Sequence, residues 1–186
     1  MSAQSTNPAN INPLTQSQVP QRRRITRWIK GAWTGLIAGT LFLAVQMLLA
    51  AVFSKGGVWD ALRLSASVAL GSQAVATAVP MSFRIFIMGL FVHFLLSIWY
   101  AVVLGMLISN LKPATAALVG AGFGLLLYFV HFYGLTHFYP WIVDARNWIA
   151  IVAHLMFGIS AAWVYSHLHM RELARESGLL SETGTA

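Results

Sequence analysis

Residues Tyr128 to Gly158 read YFVHFYGLTHFYPWIVDARNWIAIVAHLMFG. An apolar run bearing His131 leads into a short loop with an Asp-Ala-Arg-Asn cluster, and a second apolar run bearing His154 follows. Because a bilayer offers the backbone no hydrogen-bond partners, apolar runs of this kind cross it as helices. The stretch therefore predicts two membrane-spanning helices joined by a short aqueous loop.

The composition of the whole chain points to the membrane as well. Of its 186 residues, 58% are hydrophobic and only 9% are charged, which is too apolar for a water-soluble domain of this size. The chain has no cysteine, and this excludes disulfides, iron–sulfur clusters, thiolate zinc sites and cysteine nucleophiles. The sequence also has no G-x-S-x-G motif and few acidic residues, so we expect no enzymatic activity.

Four apolar runs are long enough for a helical span, which needs about 20 residues. We predict an all-α membrane protein, a four-transmembrane-helix bundle built from two tandem helical hairpins. The predicted spans cover residues of about 31–54, 85–111, 114–136 and 147–169. A weakly apolar segment of about 59–79, rich in Ser, Gln and Thr, is either an interfacial helix or a fifth span.

The flanking segments complete the predicted domain organisation. The polar N-terminal sequence cannot bury a core, so we predict a disordered basic tail. The predicted divisions are a cytoplasmic tail over 1–27, a transmembrane domain over 28–170 and a cytoplasmic C-terminal tail over 171–186.

The basic residues predict the orientation, because cytoplasmic loops of membrane proteins collect Lys and Arg. With four spans and a cytoplasmic N-terminus, four of the 12 Lys and Arg residues lie outside and the rest inside. The four outside are Lys55, Arg63, Arg84 and Arg146. We therefore predict a bacterial inner-membrane protein with both termini in the cytoplasm. Its basic N-terminal flank is expected to contact anionic lipid headgroups rather than nucleic acid.

The spans carry an internal repeat. Gly35, Gly39 and Gln46 in span one are spaced like Gly120, Gly124 and His131 in span three. His93, Ser97 and Ala101 in span two are spaced like His154, Gly158 and Ala162 in span four. All these intervals keep one helical face. They predict two hairpins in the same orientation, related by a pseudo-twofold axis along the membrane normal, with close packing at Gly35, Gly39, Gly120, Gly124 and Gly158.

The repeat also predicts a shared polar level in the outer half of the bundle. Each span contributes one polar side chain to it, and these are Gln46, His93, His131 and His154. Polar groups at such a depth are costly and usually face the bundle interior, where they form a candidate site for a small solute or for protons. No predicted span is broken by proline, which is less typical of a transporter.

Other interpretations of this layer remain open at the level of sequence. Neutral His and Gln side chains could serve helix packing alone, in a purely structural or interaction subunit. His93 and His154 could instead be the axial ligands of a haem b, although no cofactor at all is the simpler expectation. A zinc or copper site of three histidines has no supporting HxxxH or HExxH spacing.

Two further predictions concern the surface of the protein. Asp144 and Arg146 in the outer loop are expected to form a pair that fixes the loop or caps the following helix. Glycine-lined helical faces would also allow a homodimer or membership of a larger membrane complex, in addition to contact with the lipid bilayer.

The chain also resembles a known family over about Trp33 to Leu168. The similarity lies in HFYGLTHFYPWIVDARNWIAIVAHLMFGISAAWVY, from residue 131 to 165, with RLSASVALG and VHFLLSIWYAVVLG upstream. These segments are similar to an uncharacterised family of small bacterial multi-pass inner-membrane proteins, some of which carry the label sodium:proline symporter. We interpret that label as a misassignment, since a four-span chain is much shorter than such carriers and shows no inverted repeat. The resemblance implies the location and supplies no mechanism.

Overall fold

The computed structural model describes residues 13–54, 57–76 and 80–183, and all elements in these ranges are helical. The α-helices are α1 (Pro13–Phe53), α2 (Asp60–Leu70), α3 (Phe83–Ile108), α4 (Pro113–Phe129) and α5 (Trp148–Thr183). Shorter helical turns are the 3-10 segments Ser72–Val75, Leu135–His137 and Pro140–Ala145 and the π-helical segment Val130–Gly134.

Four stretches are long and apolar enough to cross a membrane: Thr26–Phe53, Phe83–Ile108, Pro113–His137 and Trp148–Arg175. Large apolar side chains such as Leu48, Phe91 and Leu118 are exposed on their outer faces, where lipid replaces water. The prediction of an all-α, four-span membrane bundle is confirmed.

Local sequence explains where several helices begin and end. Pro113 occupies the first turn of α4, where an N–H group would have no hydrogen-bond partner within the helix. The missing N–H of proline therefore costs nothing there. The Ser82 hydroxyl accepts a hydrogen bond from the Ile85 N–H at 3.3 Å, and the Asn147 Oδ1 accepts one from the Ala150 N–H at 2.9 Å. Both side chains thus satisfy N–H groups that a new helix leaves unpaired.

The helices form two hairpins that pack side by side. α3 lies along α1 in the first hairpin, and α5 lies along α4 in the second. α1 and α5 join the hairpins, whereas α3 and α4 make little contact with each other. A strict twofold axis would pair α3 with α4 as closely as α5 with α1, so the packing departs from the predicted symmetry.

Inside each hairpin, the glycines meet the partner helix in the same register. A Cβ on Gly39 would collide with the Ser97 side chain, and a Cβ on Gly35 with the backbone at Ile98. In the second hairpin, a Cβ on Gly124 would overlap the His154 carbonyl oxygen. Gly120 and Gly158 are likewise in mutual backbone contact. The repeated spacing therefore places both helix pairs at backbone contact distance.

The two ends of the bundle differ. We call the end that carries α2 and residues 130–147 the loop end, and the opposite end, with the turn at residues 109–112, the tail end. At the tail end, the buried Lys30 ammonium forms an ion pair with Glu172 and lies 3.1 Å from His169 Nδ1. This pair ties α1 to α5 below a core that includes Ala38, Leu104 and Tyr165.

Helix α2 is neither a span nor a surface helix. Its 11 residues rise about 16 Å, about half of the hydrocarbon thickness. Leu62, Ala66 and Ser67 are buried against the bundle, and the Leu62 carbonyl lies directly over Gly89 of α3. Gly71, with a φ of 84°, ends the helix. The segment predicted at 59–79 is therefore a short helix packed into the loop end, and its residues 77–79 lie outside the described part.

The helices at both chain ends extend into segments predicted as tails. α1 begins at Pro13, within the predicted disordered tail, and α5 continues to Thr183, through most of the predicted C-terminal tail. Extending a helix that already exists costs far less than nucleating one, which explains why polar sequence joins a spanning helix. Residues 1–12 and 184–186 lie outside the described part of the chain.

Candidate functional site

A cavity of about 110 Å³ lies in the half of the bundle nearer the loop end. It lies between α1, α3, α4 and α5, where α3 and α4 stay apart, and one face of α2 covers it. Its polar lining consists of Gln46, Ser65, His93, Ser97, Tyr100, His131 and His154. The four side chains predicted to share one level thus line one cavity.

Three polar lining side chains form a directed hydrogen-bond chain. His154 Nδ1 lies 2.7 Å from the Ala150 carbonyl, which can only accept, so Nδ1 carries the proton. In the neutral ring His154 Nε2 is then an acceptor, and His131 Nδ1, at 3.1 Å, donates to it. His131 Nε2 is left to accept from the Tyr100 hydroxyl at 2.8 Å. The geometry assigns both imidazoles as Nδ1–H tautomers.

His93 has the opposite tautomer. Its Nε2 lies 2.9 Å from the Gly39 carbonyl, an acceptor, so Nε2 carries the proton. The Ser97 hydroxyl is 3.5 Å from the same nitrogen. In the neutral ring Nδ1 therefore remains as an acceptor. The close approach of α1 and α3 at Gly39 is what brings this carbonyl within reach of the imidazole.

Gln46 differs from the histidines because its amide oxygen has no partner among the described residues, although that atom is buried. An unsatisfied buried acceptor costs about 1–3 kcal/mol. Gln46 lines the cavity, so a rotation of its amide would bring this oxygen to a guest that donates a hydrogen bond. Among the polar lining groups, Gln46 is the one with an unsatisfied buried acceptor.

His131 lies in an irregular part of the third span. The α-helical hydrogen bonding of α4 ends at Phe129, and Val130–Gly134 form a π-helical turn. Such turns are rare and frequent at functional sites, because they redirect a side chain without ending the helix. No proline marks this turn, so the sequence predicted an unbroken span here.

The π-helical turn is held by Arg146 from the outer loop. Arg146 Nε donates to the Phe132 carbonyl at 2.7 Å, and its guanidinium lies 4.1 Å from the centre of the Tyr133 ring. A second nitrogen is 3.4 Å from the Thr136 hydroxyl. The predicted pair of Asp144 with Arg146 is thus replaced by bonds from Arg146 to the third span, where irregular backbone leaves carbonyls in need of a donor.

A contact between distant segments also fixes α2 at the loop end. Trp141 Nε1 donates to the Ser67 hydroxyl at 2.9 Å and so joins the outer loop to α2. Arg63 Nη1 bonds the Ala74 carbonyl at 3.3 Å. Burial raises the pKa of the Asp60 carboxyl above its ordinary value, and the nearby Arg63 guanidinium partly lowers it. These contacts hold α2 over the cavity.

Comparison with protein-family models, with curated proteins and with solved structures finds no match to this chain. The site must therefore be interpreted from its own geometry.

That geometry does not fit a haem between His93 and His154. The Phe42 ring packs against both imidazoles, at 5.3 Å and 5.0 Å between ring centroids, and occupies the space between them. The Nε2 atoms that would ligate iron are bonded to the Gly39 carbonyl and to His131. A cavity of about 110 Å³ is moreover smaller than one of about 150 Å³ that holds benzene.

Metal binding finds no support in the same region. Within residues 13–54, 57–76 and 80–183, no three His, Asp or Glu side chains are placed to hold one metal ion. His131 and His154 direct nitrogens at each other rather than at a common point.

Sequence reasoning missed Phe42, which lies one turn before Gln46 on α1 and separates His93 from His154. It could have been found, since it lies one helical turn from a residue that the repeat had identified. Tyr100 lies one turn beyond Ser97 on the repeat face of α3 and supplies the first donor of the chain.

Proposed function

We propose that this chain is a non-enzymatic, multi-pass protein of the bacterial inner membrane that binds a small polar solute in its cavity as a step in transport. Both chain ends lie in the cytoplasm, so the loop end faces outward. The observation that carries this proposal is the unpaired Gln46 oxygen, buried beside three orientated imidazoles in one cavity.

Solute binding fits this arrangement better than proton conduction. The chain from Tyr100 through His131 to His154 ends on the Ala150 carbonyl, which cannot pass a proton on. In this arrangement the three groups orientate one another and form a fixed wall. A fixed, polar wall in an otherwise apolar cavity is typical of small-molecule sites.

The irregular third span also supports a transport step. π-helical turns inside longer helices are frequent at functional sites. Here the π-helical turn carries His131 to the cavity wall. A purely structural layer would not require an unpaired amide at its centre.

Swelling of proteoliposomes tests the proposal with acetamide and ethylene glycol as probe solutes. We expect vesicles with the wild-type protein to swell faster than protein-free vesicles in at least one of these solutes. Gln46→Met, close in length and without the amide, should slow this swelling several-fold. Thr40→Val removes an exposed hydroxyl from the same helix and serves as the control. Swelling at the protein-free rate in both solutes would reject transport.

A further inference from the structure

The cavity presents more hydrogen-bond acceptors than donors. From this we infer that it selects a small, uncharged solute rich in hydrogen-bond donors, an inference that rests on the proposed solute-binding function.

The protein leaves several polar atoms of the cavity wall available to a guest. The hydroxyl protons of Tyr100 and Ser65 are donated to His131 Nε2 and to the Ala61 carbonyl, at 2.8 Å and 3.0 Å, so their oxygens remain as acceptors. His93 adds Nδ1, and Gln46 adds its amide oxygen once the amide turns toward the cavity. On the donor side, the lining offers the Gln46 amide protons and the Ser97 hydroxyl. A guest that donates hydrogen bonds can therefore pair with more of the open polar atoms than a guest that only accepts hydrogen bonds.

Among the residues that the structure describes, those that line the cavity include no Asp, Glu, Lys or Arg. A cation or anion would therefore lose its hydration without meeting a counter-ion. Contact with the faces of Phe42 or Phe157 would return only a part of this loss to a cation. The balance favours a neutral guest.

The volume of the cavity limits the size of the guest. A cavity of about 150 Å³ holds benzene, with its six heavy atoms. By proportion, a cavity of about 110 Å³ holds a guest of about four or five heavy atoms. Small amides and diols fall in this range and carry two or more donor hydrogens. Apolar wall residues such as Leu127 and Phe157 contact their carbon atoms.

Saturation-transfer NMR on the full chain in nanodiscs of deuterated lipid tests the inference with three probes of similar size. Acetamide is neutral and donates, N,N-dimethylformamide is neutral and has no donor, and tetramethylammonium is charged. We expect acetamide to bind at least five-fold more tightly than either of the others. Gln46→Met should weaken acetamide binding at least five-fold, whereas Thr40→Val should not. A circular-dichroism spectrum like that of the wild type shows that each variant folds.

The outcomes separate the two proposals. Equal or tighter binding of N,N-dimethylformamide or tetramethylammonium, lost in Gln46→Met, would overturn the solute class and leave solute binding in place. Acetamide binding that Gln46→Met does not weaken would overturn the assigned role of the amide and with it the inference. Binding of none of the three probes would remove both the inference and the proposed function.

Discussion

Thr34 and Thr40 are two hydroxyl-bearing residues on α1 with opposite surroundings. Thr34 is completely buried, and its hydroxyl finds no partner among the described residues, whereas Thr40 is exposed and donates to the Leu36 carbonyl at 2.8 Å. Replacing an unsatisfied buried hydroxyl by a methyl group of the same shape removes a desolvation cost. We expect Thr34→Val to raise the free energy of unfolding by about 1 kcal/mol.

Unfolding titrations in mixed micelles measure this change. Thr40→Val is the matched control, since interhelical polar contacts in membranes average about 0.6 kcal/mol and this hydroxyl bonds only its own helix. A loss of stability in Thr34→Val would show that its hydroxyl has a partner in the membrane.

The histidine tautomers form the second prediction at the scale of single residues. The hydrogen bonds assign Nδ1–H to His131 and His154 and Nε2–H to His93. Because ring nitrogens with and without a proton differ strongly in chemical shift, nitrogen-15 NMR of labelled histidine reads these states directly. We expect two Nδ1–H rings and one Nε2–H ring in the cavity.

The Tyr100→Phe variant assigns these signals to individual histidines. It removes the donor to His131 Nε2, so the signals of that ring should shift most and those of His93 least. An Nε2–H tautomer at His154 would contradict the chain that ends on the Ala150 carbonyl.

At the scale of helices, the sequence allowed prediction of elements but not of every contact. Apolar length determined the four spans, and the repeated spacing of Gly35 and Gly120 placed glycines at both helix pairs. The π-helical turn could not be predicted, because it depends on Arg146 reaching the Phe132 carbonyl from a separate loop. The burial of α2 likewise depends on Trp141, far along the chain. Whether the polar layer functions as a site stays a prediction.

Gly124→Ala tests the packing of α4 on α5. A Cβ at Gly124 would overlap the His154 carbonyl oxygen, so the two helices must separate. We expect a loss of about 1–3 kcal/mol in the free energy of unfolding, as in other overpacked cores. Gly122→Ala is the matched control on the same helix, because a Cβ there meets nothing within 4 Å and alanine is the better helix former. Equal stability of the two variants would contradict backbone contact at Gly124.

Arg146→Gln tests what holds the π-helical turn. It removes the Nε donor to the Phe132 carbonyl and the cation over the Tyr133 ring. A hydrogen bond from a charged group is worth about 1.5–3 kcal/mol. We therefore expect the population of the open turn to rise roughly ten-fold. Hydrogen–deuterium exchange over residues 130–137 measures this opening. Asp144→Asn, at an exposed position in the same loop, should leave exchange unchanged. Equal effects of the two substitutions on exchange would indicate that an ion pair between Asp144 and Arg146 holds the loop.

At the scale of the whole molecule, the cavity follows from broken symmetry. The hairpins repeat each other internally, yet α1 packs on α5 while α3 and α4 stay apart. If α3 packed on α4 as closely, the space between these helices and Gln46 would close. One face of α2, which has no counterpart in the second hairpin, covers this space. The repeat thus supplies the polar side chains, and the separation of α3 from α4 supplies the room.

The proposed orientation of the bundle gives the last prediction. Because the chain has no cysteine, a single introduced cysteine reports its own side of the membrane without further changes. Ser72→Cys is at the loop end and Asn110→Cys at the turn of the tail end, and both positions are exposed. Since Lys and Arg favour the cytoplasmic side, a membrane-impermeant maleimide should label Ser72→Cys in spheroplasts and Asn110→Cys only after permeabilisation. The reverse pattern would show that the loop end, with the cavity, faces the cytoplasm. Labelling of both positions in sealed cells would contradict a membrane-spanning helix between them.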